Sequence, residues 1–228
     1  MPDAHFSPGL FKFLRDLAAN NDRDWFKANQ ERYEAKVREP ALSFIDDFEA
    51  PLHRISPHFV ASAKKVGGSL FRIHRDVRFS KDKSPYKTSV GIQFRHEAGK
   101  DAHAPGFYLH LQPKEIFAAV GSWRPDTDTV RGIREAIASD PKTWSRAVGG
   151  KRFTDFYELS GESLKRPPRG FDAEHPLIEE IKRKDFIAVT QLTQKEVCTP
   201  GFDKKLAQVF KRAVPMVRFL CEAVDADF

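Results

Sequence analysis

The sequence predicts an α+β fold in one domain spanning residues 1–228, with N-terminal helices, a central, mostly antiparallel sheet and C-terminal helices. Three observations carry this. Apolar residues recur at helical spacing through the first 55 residues, a two-residue period takes over after Gly67-Gly68, and helical spacing returns beyond Asp126. No linker, internal repeat or low-complexity tract divides the chain, and 228 residues with 20 Phe supply enough apolar surface for one core.

Ser7 is placed to cap a helix with Pro8 at its first position, and Leu10, Phe13, Leu14 and Leu17 form its buried stripe before Asn20-Asn21 stops it. A second helix is expected from Asp24 to Val37 through Trp25, Phe26 and Tyr33. A third runs from Pro40 through Leu42, Ile45, Phe48 and Leu52. The run Leu70 to Phe79 then reads as a strand, with Phe71, Ile73, Val77 and Phe79 on one face and Arg72, His74, Asp76 and Arg78 on the other. Arg75 interrupts the apolar face. Thr88 to Arg95, Gly106 to Leu111 and Glu115 to Gly121 supply three more strands, and their short connections favour an antiparallel meander.

Asp126 is suited to cap a helix carrying Val130, Ile133 and Ile137, and Pro141 opens another around Trp144. Residues 149–170, basic and proline-punctuated, read mostly as loop. His175-Pro176 begins a helix through Ile181, Phe186 to Leu192 fits a strand, and Phe202 to Val224 closes the chain as a helix kinked near Pro215.

Composition excludes several functional classes. No stretch approaches the roughly 20 apolar residues of a membrane helix, and the first residues lack the basic start and apolar run of a secretory signal, so a cytoplasmic protein is expected. Cys198 and Cys221 stand 23 apart without metal-ligand spacing, which argues against a disulfide framework or zinc site. There is no Walker-type G-x-x-x-x-G-K-S/T, no G-x-G-x-x-G and no G-x-S-x-G, and no cofactor is signalled.

What stands out is charge placement. Lys64 to Lys87 carries eight Lys or Arg against two Asp, a surplus of six that equals the +6 of the entire chain. The other 204 residues are balanced. Such a window holds either an anion site or a dense internal ion-pair lattice. Guanidinium groups present paired N–H donors that match phosphate or carboxylate, and lysine adds a mobile point charge. On an ideal strand Arg72 and Arg78 would lie about 20 Å apart, so converging on one anion requires a bend near Arg75-Asp76. In the following loop Asp82 suits an Asx turn and Pro85 restricts flexibility.

The segment RIHRDVRFSKDKSPY fits the pattern R-x-x-R-D-x-R-F-x-x-D/N-K-x-x-Y, with Arg72, Arg75, Asp76, Arg78, Phe79, Asp82, Lys83 and Tyr86 at its fixed positions. In this the chain resembles a bacterial family of conserved hypothetical proteins, the domain of unknown function 2461. The similarity extends over NNDRDWFKANQERYE, APGFYLHL, the GSW turn and LKRPPRGFDAEHP. The resemblance implies that the charged cluster belongs to the family's shared design, and it brings no established activity.

The expected ligand set is therefore Arg72, Arg75, Asp76, Arg78, Lys83, Tyr86, Lys87 and His110, for a small anionic or phosphorylated ligand. Arg75 and Asp76 would order the site, and Tyr86 would stack on or hydrogen-bond the ligand. If there is catalysis, Tyr86 or His110 would carry the proton. Two other readings stand beside this one. The same patch suits nucleic acid, with Phe79, Tyr86 or Tyr108 stacking on bases, or the cluster is a structural lattice and function lies in a protein-interaction surface. A metal set of His74, Asp76 and His110 is the weaker alternative because the surrounding cations oppose it, and His103 is weaker again.

Overall fold

The computed structural model describes residues 4–99 and 104–228. Helix α1 (Pro8–Ala19) begins after Ser7 as expected and buries Leu10, Phe11, Phe13, Leu14 and Leu17. Asp22 then caps α2 (Arg23–Ala28) by accepting a 2.8 Å hydrogen bond from the Trp25 N–H. The expected second and third helices are joined rather than separate. Short α3 (Gln30–Tyr33) passes through a π-helical segment, Glu34–Arg38, directly into α4 (Glu39–His53). Pro40 explains the widened turn, because its ring cannot sit against the carbonyl four residues earlier in a regular helix.

Six antiparallel strands form one sheet among the described residues. They are β1 (Phe59–Val60), β2 (Val90–His96), β3 (Gly106–Gln112), β4 (Glu115–Ser122), β5 (Glu158–Ser160) and β6 (Phe186–Gln191). Their order is β1-β2-β3-β4-β6-β5. Two-residue alternation gives the sheet an inner and an outer face. Ile92, Phe94, Phe107, Leu109, Ala118, Val120, Phe186 and Ala188 are buried inward. Helices cover this face: the Phe48 ring of α4 lies 4.8 Å from that of Phe94, and the Phe210 ring, from a helix near the end of the chain, lies 4.8 Å from that of Phe107.

Helix α5 (Thr127–Ser139) is capped by Asp126, which accepts from the Asp128 and Thr129 N–H groups, and α6 (Pro141–Gly149) buries Trp144. Residues 149–170 are not all loop: α7 (Lys151–Thr154) and edge strand β5 lie there. Helix α8 is a single turn, Ile178–Ile181. A Thr193/Glu196 capping box starts α9 (Gln194–Val197). The last helical stretch is broken rather than kinked, into α10 (Phe202–Arg212) and α11 (Val214–Glu222), because Ala213 leaves helical geometry before Pro215. No helix among the described residues is long and apolar enough to cross a membrane.

The strand expected over Leu70–Phe79 does not form. Phe79 is 96% and Phe71 37% exposed, so the apolar alternation does not mark a buried face. Instead the chain follows β2 at one bridge, Leu70 to Ile92, and leaves the sheet. It folds back on itself at a second bridge, His74 to Tyr86, with the Arg75 N–H bonded to the Pro85 carbonyl and the Lys87 N–H to that of Ile73. The product is an irregular hairpin whose tip, residues 76–84, carries the charged residues.

Candidate functional site

Asn21, which the sequence marks only as a helix stop, fastens this hairpin to the helices. Its side-chain amide donates to the Tyr86 carbonyl at 2.9 Å and its Oδ1 accepts from the Tyr86 N–H at 3.1 Å. The Tyr86 ring stacks on Phe26 with centroids 4.1 Å apart, and the His74 ring lies at 5.3 Å. Tyr86 is thus an anchor. Its ring is packed into the core and is not available to stack on a ligand.

Beyond this anchor the tip closes on its own charges. The Arg75 guanidinium donates to Asp82 and to the Ser84 carbonyl, and the Asp82 carboxylate also accepts from the Ser84 N–H and hydroxyl. Asp82 therefore makes the expected Asx turn. Arg75 takes Asp82, seven residues onward, and not the neighbouring Asp76. Asp76 instead receives Arg78 through two N–H groups, at 2.9 and 2.7 Å. The chain does bend just after Arg75, but the bend directs Arg78 onto Asp76 and outward, and its side chain is 77% exposed. Lys83 donates to the Val77 carbonyl at 3.0 Å. Arg75, Asp76, Arg78, Asp82 and Lys83 thus serve first as the hairpin's fastenings.

These contacts set the acid behaviour of the tip. The Arg78 side chain and N–H hold Asp76 down at about 2, from 3.8. The Ser84 hydroxyl and N–H, then Arg75, hold Asp82 lower still. A depressed carboxylate contributes its full stabilisation above the unfolded pKa and loses it as pH falls through the folded value. The tip should therefore remain fastened at pH 4 and open only near pH 2. The amide resonances of Arg78 and Ser84, followed by NMR through an acid titration, report this directly.

Five cations of the window, Lys64, Lys65, Arg72, Lys81 and Lys87, stay outside the lattice. Arg72 is exposed and acts on Asp76 only through space, while Lys87 alone of the five is half-buried, and neither has an ion pair or hydrogen bond among the described residues. The Lys87 ammonium lies 5.3 Å from the Phe71 ring centroid. Burial, and then the like charge of Arg72, pull its pKa below 10.5. Lys87 lines an open recess of about 490 Å³ together with Asn21, Arg75, Asp82, Ser84, Tyr86 and Thr88. The Asp82 carboxylate is engaged by Arg75 and Ser84, which leaves the Lys87 ammonium as the cation of the recess without an acid.

His110 is not part of that recess. On the outer face of β3 its Nδ1 is 3.0 Å from the Tyr108 hydroxyl and its Nε2 3.3 Å from Gln112 Oε1, and its ring stacks on Phe117 at 4.7 Å. Burial lowers its pKa. No group of three or more His, Cys, Asp or Glu placed to hold a metal ion occurs among the described residues, so His74, Asp76 and His110 do not form a ligand set. His103 lies outside the described residues.

The family model described as "Conserved hypothetical protein (DUF2461)" matches residues 9–219. The chain belongs to the DUF2461 family. That span runs from α1 into α11 and takes in both the charged hairpin and the sheet. No curated protein matches the chain, and no solved structure does.

Proposed function

We propose that this DUF2461 protein binds a small oxyanion-bearing ligand, a phosphate or carboxylate compound, at the Lys87 recess in a cytoplasmic setting. The observation behind the reading is the state of Lys87: a half-buried cation without an ion-pair partner among the described residues, because Asp82, the carboxylate of the same recess, is taken by Arg75 and Ser84, and with a second cation, Arg72, acting on it. Taking a charge out of water without a counter-ion costs stability, and a bound anion offsets that cost. Thr88 and the second N–H of the Asn21 amide add neutral donors, and Arg75, held by Asp82, forms the rigid wall. Of the expected ligand set, Arg75 and Lys87 line the recess and Arg72 acts on it through its charge. Tyr86, Asp76, Arg78 and Lys83 support the hairpin, and His110 falls outside it.

Lys87→Met tests the reading because the two possible roles have opposite signs. A cation whose folded pKa is depressed destabilises the fold below that pKa, and the penalty lifts as pH rises through it. At pH 7, Lys87→Met should therefore leave the melting temperature unchanged or raised. It should also abolish the upward shift that phosphate or sulfate gives the parent protein over chloride at matched ionic strength. Arg78→Gln should keep that shift. A parent protein that shows no shift, or a Lys87→Met variant that retains it, rejects the proposal.

Nucleic-acid binding is favoured by one feature, the exposed Phe79 at the hairpin tip, 5.8 Å from the Arg78 guanidinium. An aromatic beside a cation on a protruding basic hairpin suits a base and its phosphate. Binding of this kind should collapse by orders of magnitude between low and high salt and depend on Phe79, whereas anion capture at Lys87 should not depend on Phe79.

A further inference from the structure

Among the described residues, the helices packed on the sheet lie on its inner face. Phe71, Tyr108, Phe117, Trp123, Ile187 and Val189 line a trough of about 520 Å³ across the outer face. Where β4 ends and β6 begins, a second cavity of about 540 Å³ opens, lined by five cations, Arg124, Arg131, Arg134, Arg169 and Lys184, and by Phe171. The two adjoin. Asp185 lines the cavity while Ile187 and Val189 line the trough, and these three share one face of a single strand line at about 7 Å per step. Trp123 borders the trough and its neighbour Arg124 the cavity, with the guanidinium 4.7 Å from the indole centroid.

Charge within the cavity is not balanced. Asp185 is buried, and its two oxygens accept the Arg124 N–H at 2.8 Å and the Glu162 N–H at 2.9 Å. Glu162 pairs with Lys184 at 3.1 Å, and Arg131 pairs with Asp128 and Glu135 on its own helix. Arg124, Arg134 and Arg169 then have no carboxylate among the described residues. Arg134 donates through Nη2 to the Arg183 carbonyl at 2.8 Å, while its Nε is buried with no acceptor. A buried donor left unpaired is uncommon in a folded protein.

We propose that trough and cavity together form one site for a free amphipathic anion: an alkyl or aryl body along the sheet, and a phosphate or carboxylate head among Arg124, Arg134 and Arg169. Three guanidiniums without acid partners select the sign and the head, and the aromatic and branched side chains next to them select the body. Each volume lies within the range of small-molecule sites. The surface is recessed, which suits a single molecule and not a bilayer. This site shares no lining residue with the Lys87 recess, although the Lys87 ammonium lies against Phe71, which lines the trough.

Octyl phosphate is the probe, measured by isothermal titration calorimetry on the full chain below its micellar concentration. One molecule should bind per chain with a negative heat-capacity change, and inorganic phosphate at matched ionic strength should bind at least tenfold more weakly. Arg169→Gln, an exposed change, and Arg134→Gln should each weaken octyl phosphate at least tenfold. Val189→Glu, which places a charge in the trough, should do the same, with unchanged circular dichroism in each case. Lys87→Met should have no effect. Equal affinity for octyl phosphate and inorganic phosphate, or loss on Lys87→Met but not on Arg169→Gln, overturns the proposal. So does binding only to anionic phosphatidylglycerol vesicles. So does a dimer in sedimentation that Val189→Glu dissolves and octyl phosphate leaves intact.

Discussion

Gly121→Ala is expected to lower the unfolding free energy by about 3–5 kcal/mol, from two separate causes. Gly121 has φ +108°, a backbone region that side-chain-bearing residues rarely enter, and this alone costs an alanine about 1–2 kcal/mol. The second cause is contact. A Cβ at this position would lie 2.0 Å from the Phe186 carbonyl oxygen and 3.1 Å from its carbon, both main-chain atoms of the neighbouring strand. β4 pairs with β3 through Gly106 and with β6 through Ile187 at this residue, so it cannot move without disturbing two ladders. For a chain of this size the melting temperature should fall by roughly 6–20 °C. Gly170→Ala separates the causes. Gly170 has φ +90° but nothing within 4 Å of the added atom, so it should show only the conformational cost. Equal losses in the two variants, measured by thermal denaturation, would show that the β4–β6 approach is not tight.

Periodicity made the helices and the three central strands legible because each of these elements buries one face over several residues. Leu10, Phe13, Leu14 and Leu17 of α1, and Phe107, Leu109 and Leu111 of β3, repeat at the spacing their packing requires. The same rule failed at Leu70–Phe79. Alternation states which residues share a face, but a strand also needs a neighbour for its backbone along its length, and past the Phe71 N–H, bonded to the Gly91 carbonyl, the segment leaves β2 and its next bridge is to its own return arm. The partner of Arg75 was hidden for the same reason. Asp82 comes within reach only because the chain reverses at the tip, whereas Asp76, next in sequence, points to Arg78. β1 and β5, at two and three residues, are too short to carry a period.

The charge surplus located the hairpin but not how its charges are spent. Composition counts Lys83 and Lys87 alike, yet one ties down a carbonyl and the other has no acceptor. The arginine cavity was only faintly marked in the sequence. Arg169 lies in the basic stretch 149–170, but Arg124 follows β4 and Arg134 lies in α5, and nothing in the sequence joins the three. Strand order brings them together, and strand order is a tertiary fact. The trough was half visible: Tyr108 and His110 are correctly read as sharing the face opposite Phe107, but Ile187 and Val189 join them only once β6 pairs with β4.

Asp185→Ala should cost about 3 kcal/mol and take the arginine cavity with it. The carboxylate is 5% exposed and joins two segments distant in sequence: the turn after β4, through the Arg124 N–H, and the segment after β5, through the Glu162 N–H. Truncation leaves both donors without an acceptor in a poorly hydrated place, at about 1–3 kcal/mol for each such group. Asp185→Asn divides the effect. An amide has one oxygen, so it satisfies one N–H and turns its own donor toward the other, and about half the loss should remain. Denaturant unfolding of the two variants gives the ordering, with Ala below Asn below the parent. A structural role for Asp185 predicts more than lost stability. Arg124 sits at φ +49°, held there by its bonded N–H, and its guanidinium is placed over Trp123 from that position. Releasing the N–H frees the guanidinium from the edge of the cavity. Asp185→Asn, folded and measured well below its melting temperature, should therefore bind octyl phosphate more weakly even though removing an acid would raise the local positive charge. Tighter binding in Asp185→Asn would mean that bulk charge, and not the fixed placement of Arg124, governs the site.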